Sequence, residues 1–228
     1  MIDIKEELIK NSDPEYLKFS TTLIPNAGKI YGVRMPVLRN IAKKIYKEDW
    51  RSFLKESSSS YEEAILQALV IANAKMDIDE RLAFTKEFVP RINNWAVCDI
   101  FCGDWKVAPP DKDKLWTYCL ELIKTREEFP MRVSAVMMLG HFLEDDYIDT
   151  VLSVLSSAYH EGYYFKMGSA WTLSYCFIKY PDKTEPFLFQ PSLDKEIRNK
   201  AVQKICDSYR VDKETKIRLK EKKANINS

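Results

Sequence analysis

Glycine is scarce in this chain, with 6 in 228 residues, and histidine scarcer still, with 2. There is no GxxxxGK phosphate loop, no GxGxxG turn, no GxSxG elbow and no HExxH helix, so nucleotide hydrolysis, hydride transfer and serine hydrolysis lack visible machinery. The five cysteines (Cys98, Cys102, Cys119, Cys176, Cys206) are odd in number and scattered through apolar stretches, which predicts reduced thiols rather than a disulfide framework. Cys98 and Cys102 stand four apart, but without a CxxC pair and with only His141 and His160 as imidazoles no metal site is expected. His141 beside Glu144, Asp145 and Asp146 reads as an acidic loop ending a helix. No apolar run reaches membrane-spanning length, and Met1-Ile2-Asp3-Ile4-Lys5-Glu6 lacks the basic start and apolar core of a signal peptide, so the expectation is a cytoplasmic protein with no membrane partner. Excess positive charge is missing too. Lys plus Arg number 35 against 34 Asp plus Glu, a net +1 that argues against a nucleic-acid partner unless the charge is segregated. Segregated it is: from Asp194 onward there are 11 basic and 6 acidic residues, a local +5.

What the chain does have is helical periodicity almost throughout. Helices are predicted over Asp3 to Asn11, Asp13 to Thr22, Val37 to Tyr46, Trp50 to Glu56, Tyr61 to Ala74, Asp79 to Ile92, Asp113 to Lys124, Met131 to Leu143, Tyr147 to Tyr159, Phe165 to Tyr180, Glu185 to Phe189 and Lys195 to Tyr209. A break is expected at Pro25-Asn26-Ala27-Gly28, a loop at Ser57 to Ser60, and a charged tail that begins helical and frays after Asp212. In Val37 to Tyr46 the apolar face is Val37, Leu38, Ile41, Ala42 and Ile45, with Arg39, Lys43, Lys44 and Lys47 largely away from it. A small residue recurs in the apolar helices at Ala64, Ala96, Ala135, Ala170 and Ala201, at spacings of 32, 39, 35 and 31 residues. Helix pairs at that period predict an all-α fold, an α-solenoid of HEAT-like antiparallel helix pairs, curved with a concave groove. Residues 1–211 are expected to form this single domain, with 212–228 a charged C-terminal helix or tail.

The most informative stretch is Asn93-Asn94-Trp95-Ala96-Val97-Cys98-Asp99-Ile100-Phe101-Cys102-Gly103-Asp104-Trp105. It reads as a short apolar helix with Asn94 at the N-cap, placing Trp95 and Asp99 on one face, one turn apart. A carboxylate in such surroundings is costly to bury unless it is paired or has a task. One alternative is that Asp99 satisfies backbone donors of a neighbouring loop. In a solenoid, equivalent places in successive repeats become neighbours, so Trp95, Asp99, Arg132 and Trp171, all near the starts of second helices, form a candidate constellation. For each tryptophan alone, core packing is the competing explanation.

Tyr31-Gly32-Val33-Arg34-Met35-Pro36-Val37-Leu38-Arg39, the Asn94 to Asp99 stretch, Met131-Arg132-Val133-Ser134-Ala135, Ala170-Trp171-Thr172-Leu173 and Asn199-Lys200-Ala201-Val202-Gln203-Lys204-Ile205 together resemble the AlkD-like family of DNA alkylation repair proteins. The likeness runs in order over nearly the whole chain. It implies HEAT-like repeats and removal of cationic N3- and N7-alkylated purines from duplex DNA, without a metal or redox cofactor. Trp95, Asp99 and Trp171 look like the catalytic residues of that family, and Arg132 like the residue that fixes an adjacent phosphate. Arg198, Lys200 and Lys204 are candidates to grip the DNA backbone without reading sequence.

The chemistry implied is coherent. Alkylation makes the purine cationic, hence already a good leaving group, and Asp99 would stabilise the charge growing on the deoxyribose and position a water. The indoles of Trp95 and Trp171 would offer electron-rich faces to the cation. The chain departs from the family at Ser174-Tyr175, where the catalytic enzymes tend to carry a basic residue, and within Asn-Asn-Trp-Ala-Val-Cys-Asp. Two other readings therefore stay open: a non-catalytic DNA-binding solenoid for damaged or branched DNA, and a scaffold that binds a protein in its groove. The protein is expected to act as a monomer.

Overall fold

A computed structural model describes residues 2–24 and 27–227; the break predicted at Pro25-Asn26 lies outside the described residues. Among those residues the chain is all α, with no strand. The helices are α1 (Ile4–Lys10), α2 (Pro14–Leu23), α3 (Met35–Ile45), α4 (Trp50–Lys55), α5 (Tyr61–Asn73), α6 (Ile78–Phe88), α7 (Trp95–Asp104), α8 (Lys112–Leu122), α9 (Glu128–His141), α10 (Ile148–Ser157), α11 (Tyr163–Lys179), α12 (Pro181–Leu188), α13 (Lys195–Asp207) and α14 (Lys213–Asn227). Many starts follow from a short polar side chain that accepts the free N–H groups of the first turn: Asp3, Asp13, Asp49, Ser60, Asp77, Asn94 and Asp194 all do so. Two boundaries differ from the sequence expectation in an instructive way. Both α9 and α12 begin a turn or more early, with Pro130 and Pro181 in the first turn, where proline's missing N–H costs nothing. The segment expected to fray after Asp212 is helical to Asn227, because Leu219 is fully buried and Arg218 and Lys222 both reach Glu185.

The chain falls into two compact units, Met1–Leu115 and Trp116–Ser228. In the first, α5 packs against α3 and α7 on either side and against α4 and α6 behind. That position explains its composition, since Ile65 to Ala72 are buried without interruption and all but Gln67, whose amide donates to the Glu56 carbonyl at 2.7 Å, are apolar. Glu62, at the start of α5, is completely buried and its carboxylate accepts the N–H groups of Tyr31 (3.0 Å), Gly32 (2.8 Å) and Val33 (3.2 Å). The Tyr-Gly-Val segment is thereby fastened to α5. Gly32 is required there: its φ is +80°, and a Cβ would meet Leu17 Cβ at 2.6 Å and the Asp13 carbonyl at 2.8 Å. Two cations of α3 are paired with acids, Arg39 with Asp104 through both nitrogens and Lys44 with Glu7 at 2.9 Å.

The second unit repeats the layering. Its α11 packs against α9 and α13, with α10 and α12 behind, and α14 closes on α13. Within each unit the row of second helices and its backing layer are those of an α-solenoid.

Candidate functional site

In the first unit the site is built on α7. The Asn94 side chain, itself only 3% exposed, accepts the Val97 N–H at 3.0 Å and fixes the helix to start at Trp95. Trp95 and Asp99 therefore lie one turn apart, both partly exposed, while Val97, Cys98, Phe101 and Cys102 turn into the core. The Trp95 indole N–H donates to the Leu23 carbonyl at 3.3 Å, which pins the ring against the end of α2. Among the other tryptophans of this unit, Trp50 and Trp105 are buried core residues.

In the second unit the site is built where α9, α11 and α13 meet. Arg132 is buried at 5% exposure, its stem lying against Gly168, where a Cβ would come within 3.2 Å of Arg132 Cγ, and Nη1 donates to the Tyr164 carbonyl at 2.7 Å. A glycine in mid-helix is thus explained by the close passage of this side chain. Trp171 is partly exposed and meets Tyr175 edge to face, ring centroids 6.3 Å apart. Both line a shallow pocket of about 320 Å³ with Ser174, Lys204 and Arg210. The Arg210 guanidinium sits 5.0 Å over the Tyr175 ring. Ser174, standing where a basic residue was expected, turns its hydroxyl to the Trp171 carbonyl at 2.7 Å. Lys204 and Arg210 place positive charge at the same pocket from α13 and the loop after it. Burial, together with the like charges of Lys200 and Arg132, holds the Lys204 ammonium below the usual lysine range, against an opposing pull from Asp207 and Tyr175. Arg132, Lys200 and Lys204 thus form one cationic focus.

Arg198 takes a different course from the one expected. It is 6% exposed, and its guanidinium donates to the carbonyls of Leu188 (3.1 Å), Gln190 (3.3 Å) and Leu193 (3.0 Å). It fastens the end of α12 and the loop after it to α13, where carbonyls at and beyond the helix end lie outside the regular helical ladder. Its guanidinium is thus engaged with main chain, whereas Lys200 and Lys204 of the same helix are partly exposed. Two features that sequence reading passed over are Arg210 and the full stripe along α11. Tyr163, Met167, Trp171 and Tyr175 recur every four residues, a helical-face signal that was available in the sequence.

Two buried thiols are held in the protonated form. Burial pushes Cys176 up to about 12 and Cys119 higher still. Among the described residues no three His, Cys, Asp or Glu side chains converge as metal ligands would, and no helix is long and apolar enough to cross a membrane.

Each unit has α-solenoid layering; an indole and a carboxylate share one helix of the first, and a cationic focus stands beside an indole in the second. Residues 4–215 match the family described as DNA alkylation repair enzyme, and the chain belongs to that family. Its role is in DNA repair. A comparison with curated proteins found no match.

Proposed function

We propose that the protein is a DNA glycosylase that hydrolyses the N-glycosidic bond of cationic N3- and N7-alkylated purines in duplex DNA. The observation that carries this reading is Asp99, partly exposed on the same face of α7 as Trp95, on a helix whose Val97, Cys98, Phe101 and Cys102 are buried. Such a carboxylate is placed to face a developing cation. The bond from C1′ to the purine nitrogen breaks, and the base leaves with the electron pair and becomes neutral. Asp99 stabilises the positive charge left on the sugar and takes a proton from the water that forms the new C1′–O bond. Trp95, on the face of Asp99, offers a π face to the cation, and Trp171 is the corresponding indole of the second unit. Lys200 and Lys204 bind phosphates, with Arg210 as an addition to that set, and the buried Arg132 adds positive potential behind them. The protein works as a monomer in the cytoplasm.

The test is release of free N3-methyladenine and N7-methylguanine from randomly methylated duplex DNA, separated by chromatography, with Asp99→Asn in parallel. Release by the wild type and at least a hundredfold slower release by the variant, with DNA affinity equal or higher, is the expected result. Equal rates would sink the assignment.

A second reading is a non-catalytic solenoid that binds damaged or branched DNA. It is favoured by one observation: Ser174 carries no charge and is occupied by the Trp171 carbonyl. Steeply salt-dependent binding without release of any base would select it. Failure to bind duplex, nicked or branched DNA at low salt would leave a protein-binding scaffold.

A further inference from the structure

The face that carries Trp171 continues beyond it. One turn after another toward the start of α11 come Met167 and Tyr163, and Tyr163 is 65% exposed, an unusual state for so large a ring. These two residues floor a second cavity of about 450 Å³, walled by Asn199, Lys200 and Gln203 of α13 and Lys223 of α14. Glu196, the acid on its rim, is held by Lys166. Lys223 is one of a set. Lys216, Lys220 and Lys223 recur at helical spacing on α14, and all three raise the positive potential at the Cys206 thiol of α13, so they converge on one side. None of the three makes an ion pair among the described residues, whereas Arg218 and Lys222 are paired with Glu185. Leu219, fully buried, keeps α14 docked with that lysine row in place.

We propose that this cavity is a binding subsite for an unpaired nucleotide of a DNA strand, with Tyr163 as the stacking platform and the Lys216, Lys220 and Lys223 row as the track for its phosphates. An exposed ring beside apolar Met167 offers a base a flat contact of any sequence, Asn199 and Gln203 line the same cavity, and the ammonium groups of Lys200 and Lys223 flank it. A ring lying on a protein surface stacks only on a base whose own face is uncovered, so the occupant is single-stranded or extruded, not paired. Tyr163 lies eight residues from Trp171, about 12 Å along α11 at ~1.5 Å per residue. At ~3.4 Å per nucleotide along a strand, that places the subsite three to four nucleotides from the Trp171 pocket.

The inference rests on DNA lying along the face of α11 and α13, but not on base release. It is tested by fluorescence anisotropy with a labelled, unmodified oligothymidylate of about 15 nucleotides, within the usual span of a single-strand site. The wild type is expected to bind it at low salt, Tyr163→Ala to weaken binding about tenfold, and Tyr163→Phe to retain it. The triple variant K216E/K220E/K223E is expected to lower the slope of log affinity against log salt by roughly 2. Tyr163 and the three lysines are on the surface, so these variants fold. No binding of oligothymidylate by the wild type, or equal binding by Tyr163→Ala, overturns the proposal. Base release is measured on the same preparations. Intact oligothymidylate binding without release removes the glycosylase reading and supports this one.

Discussion

Glu62 and Arg198 are both buried and charged, and both hold main chain in place. Their charge is tolerated because each is surrounded by the opposite ends of peptide dipoles, three N–H groups for the carboxylate and three carbonyls for the guanidinium. Removing either partner orphans buried polar groups, which costs more than the bonds themselves contributed. Glu62→Ala is expected to destabilise the protein by about 3 kcal/mol or more, read as a lower denaturant midpoint at unchanged m. Arg198→Met is expected to cost about 2–4 kcal/mol in the same measurement, while DNA affinity of the folded fraction changes little. A large loss of affinity with intact stability would restore Arg198 to the binding set. Asp99 differs from both in being partly exposed and in sharing its face with an indole.

Helix α7 is short and apolar, and its position depends on its first residue. Asn94→Ala removes the acceptor for the Val97 N–H in a buried setting, with an expected loss of about 1 kcal/mol and a fall in base release, since Trp95 and Asp99 take their register from that cap. Thermal unfolding and the release assay run together would check both. Helix α11 depends on a different device. Gly168 gives Arg132 its passage, so Gly168→Ala asks the Arg132 stem to move by a few tenths of an ångström. Weaker DNA binding with stability changed by no more than about 1 kcal/mol is the expected outcome, by titration and thermal unfolding.

Net charge misleads for the protein taken whole. The +1 total conceals a positive C-terminal stretch, and the structure concentrates it further: Arg132 joins Lys200 and Lys204, and three lysines of α14 line up nearby on the same unit. Crowding of like charge, with burial, keeps the Lys204 ammonium below the lysine range of the free amino acid. A phosphate reverses that pressure, so binding takes up proton at this group. DNA affinity is therefore expected to fall as pH rises through the lowered Lys204 value, before ordinary lysines titrate, and Lys204→Arg is expected to remove that step. Affinity measured across alkaline pH at constant salt decides it; a profile identical in the variant would assign the step elsewhere.

Much was legible in the residues alone. Periodicity, N-caps and the recurrence of small residues near every 35 positions specify an all-α stack, because each rests on local geometry that the chain carries with it. The pairing of Trp95 with Asp99 follows from one turn of helix, and the Tyr163, Met167, Trp171 and Tyr175 stripe follows from the same rule. The exposure of a side chain does not, because it depends on what distant segments bring against it. Trp50 and Trp105 became core while Trp95 and Trp171 stayed partly open, although nothing in their immediate neighbours distinguishes them. Arg198 was indistinguishable from Lys200 as a basic residue on α13, yet three carbonyls at the end of α12 turned it inward, where only a planar donor with several N–H groups satisfies them all.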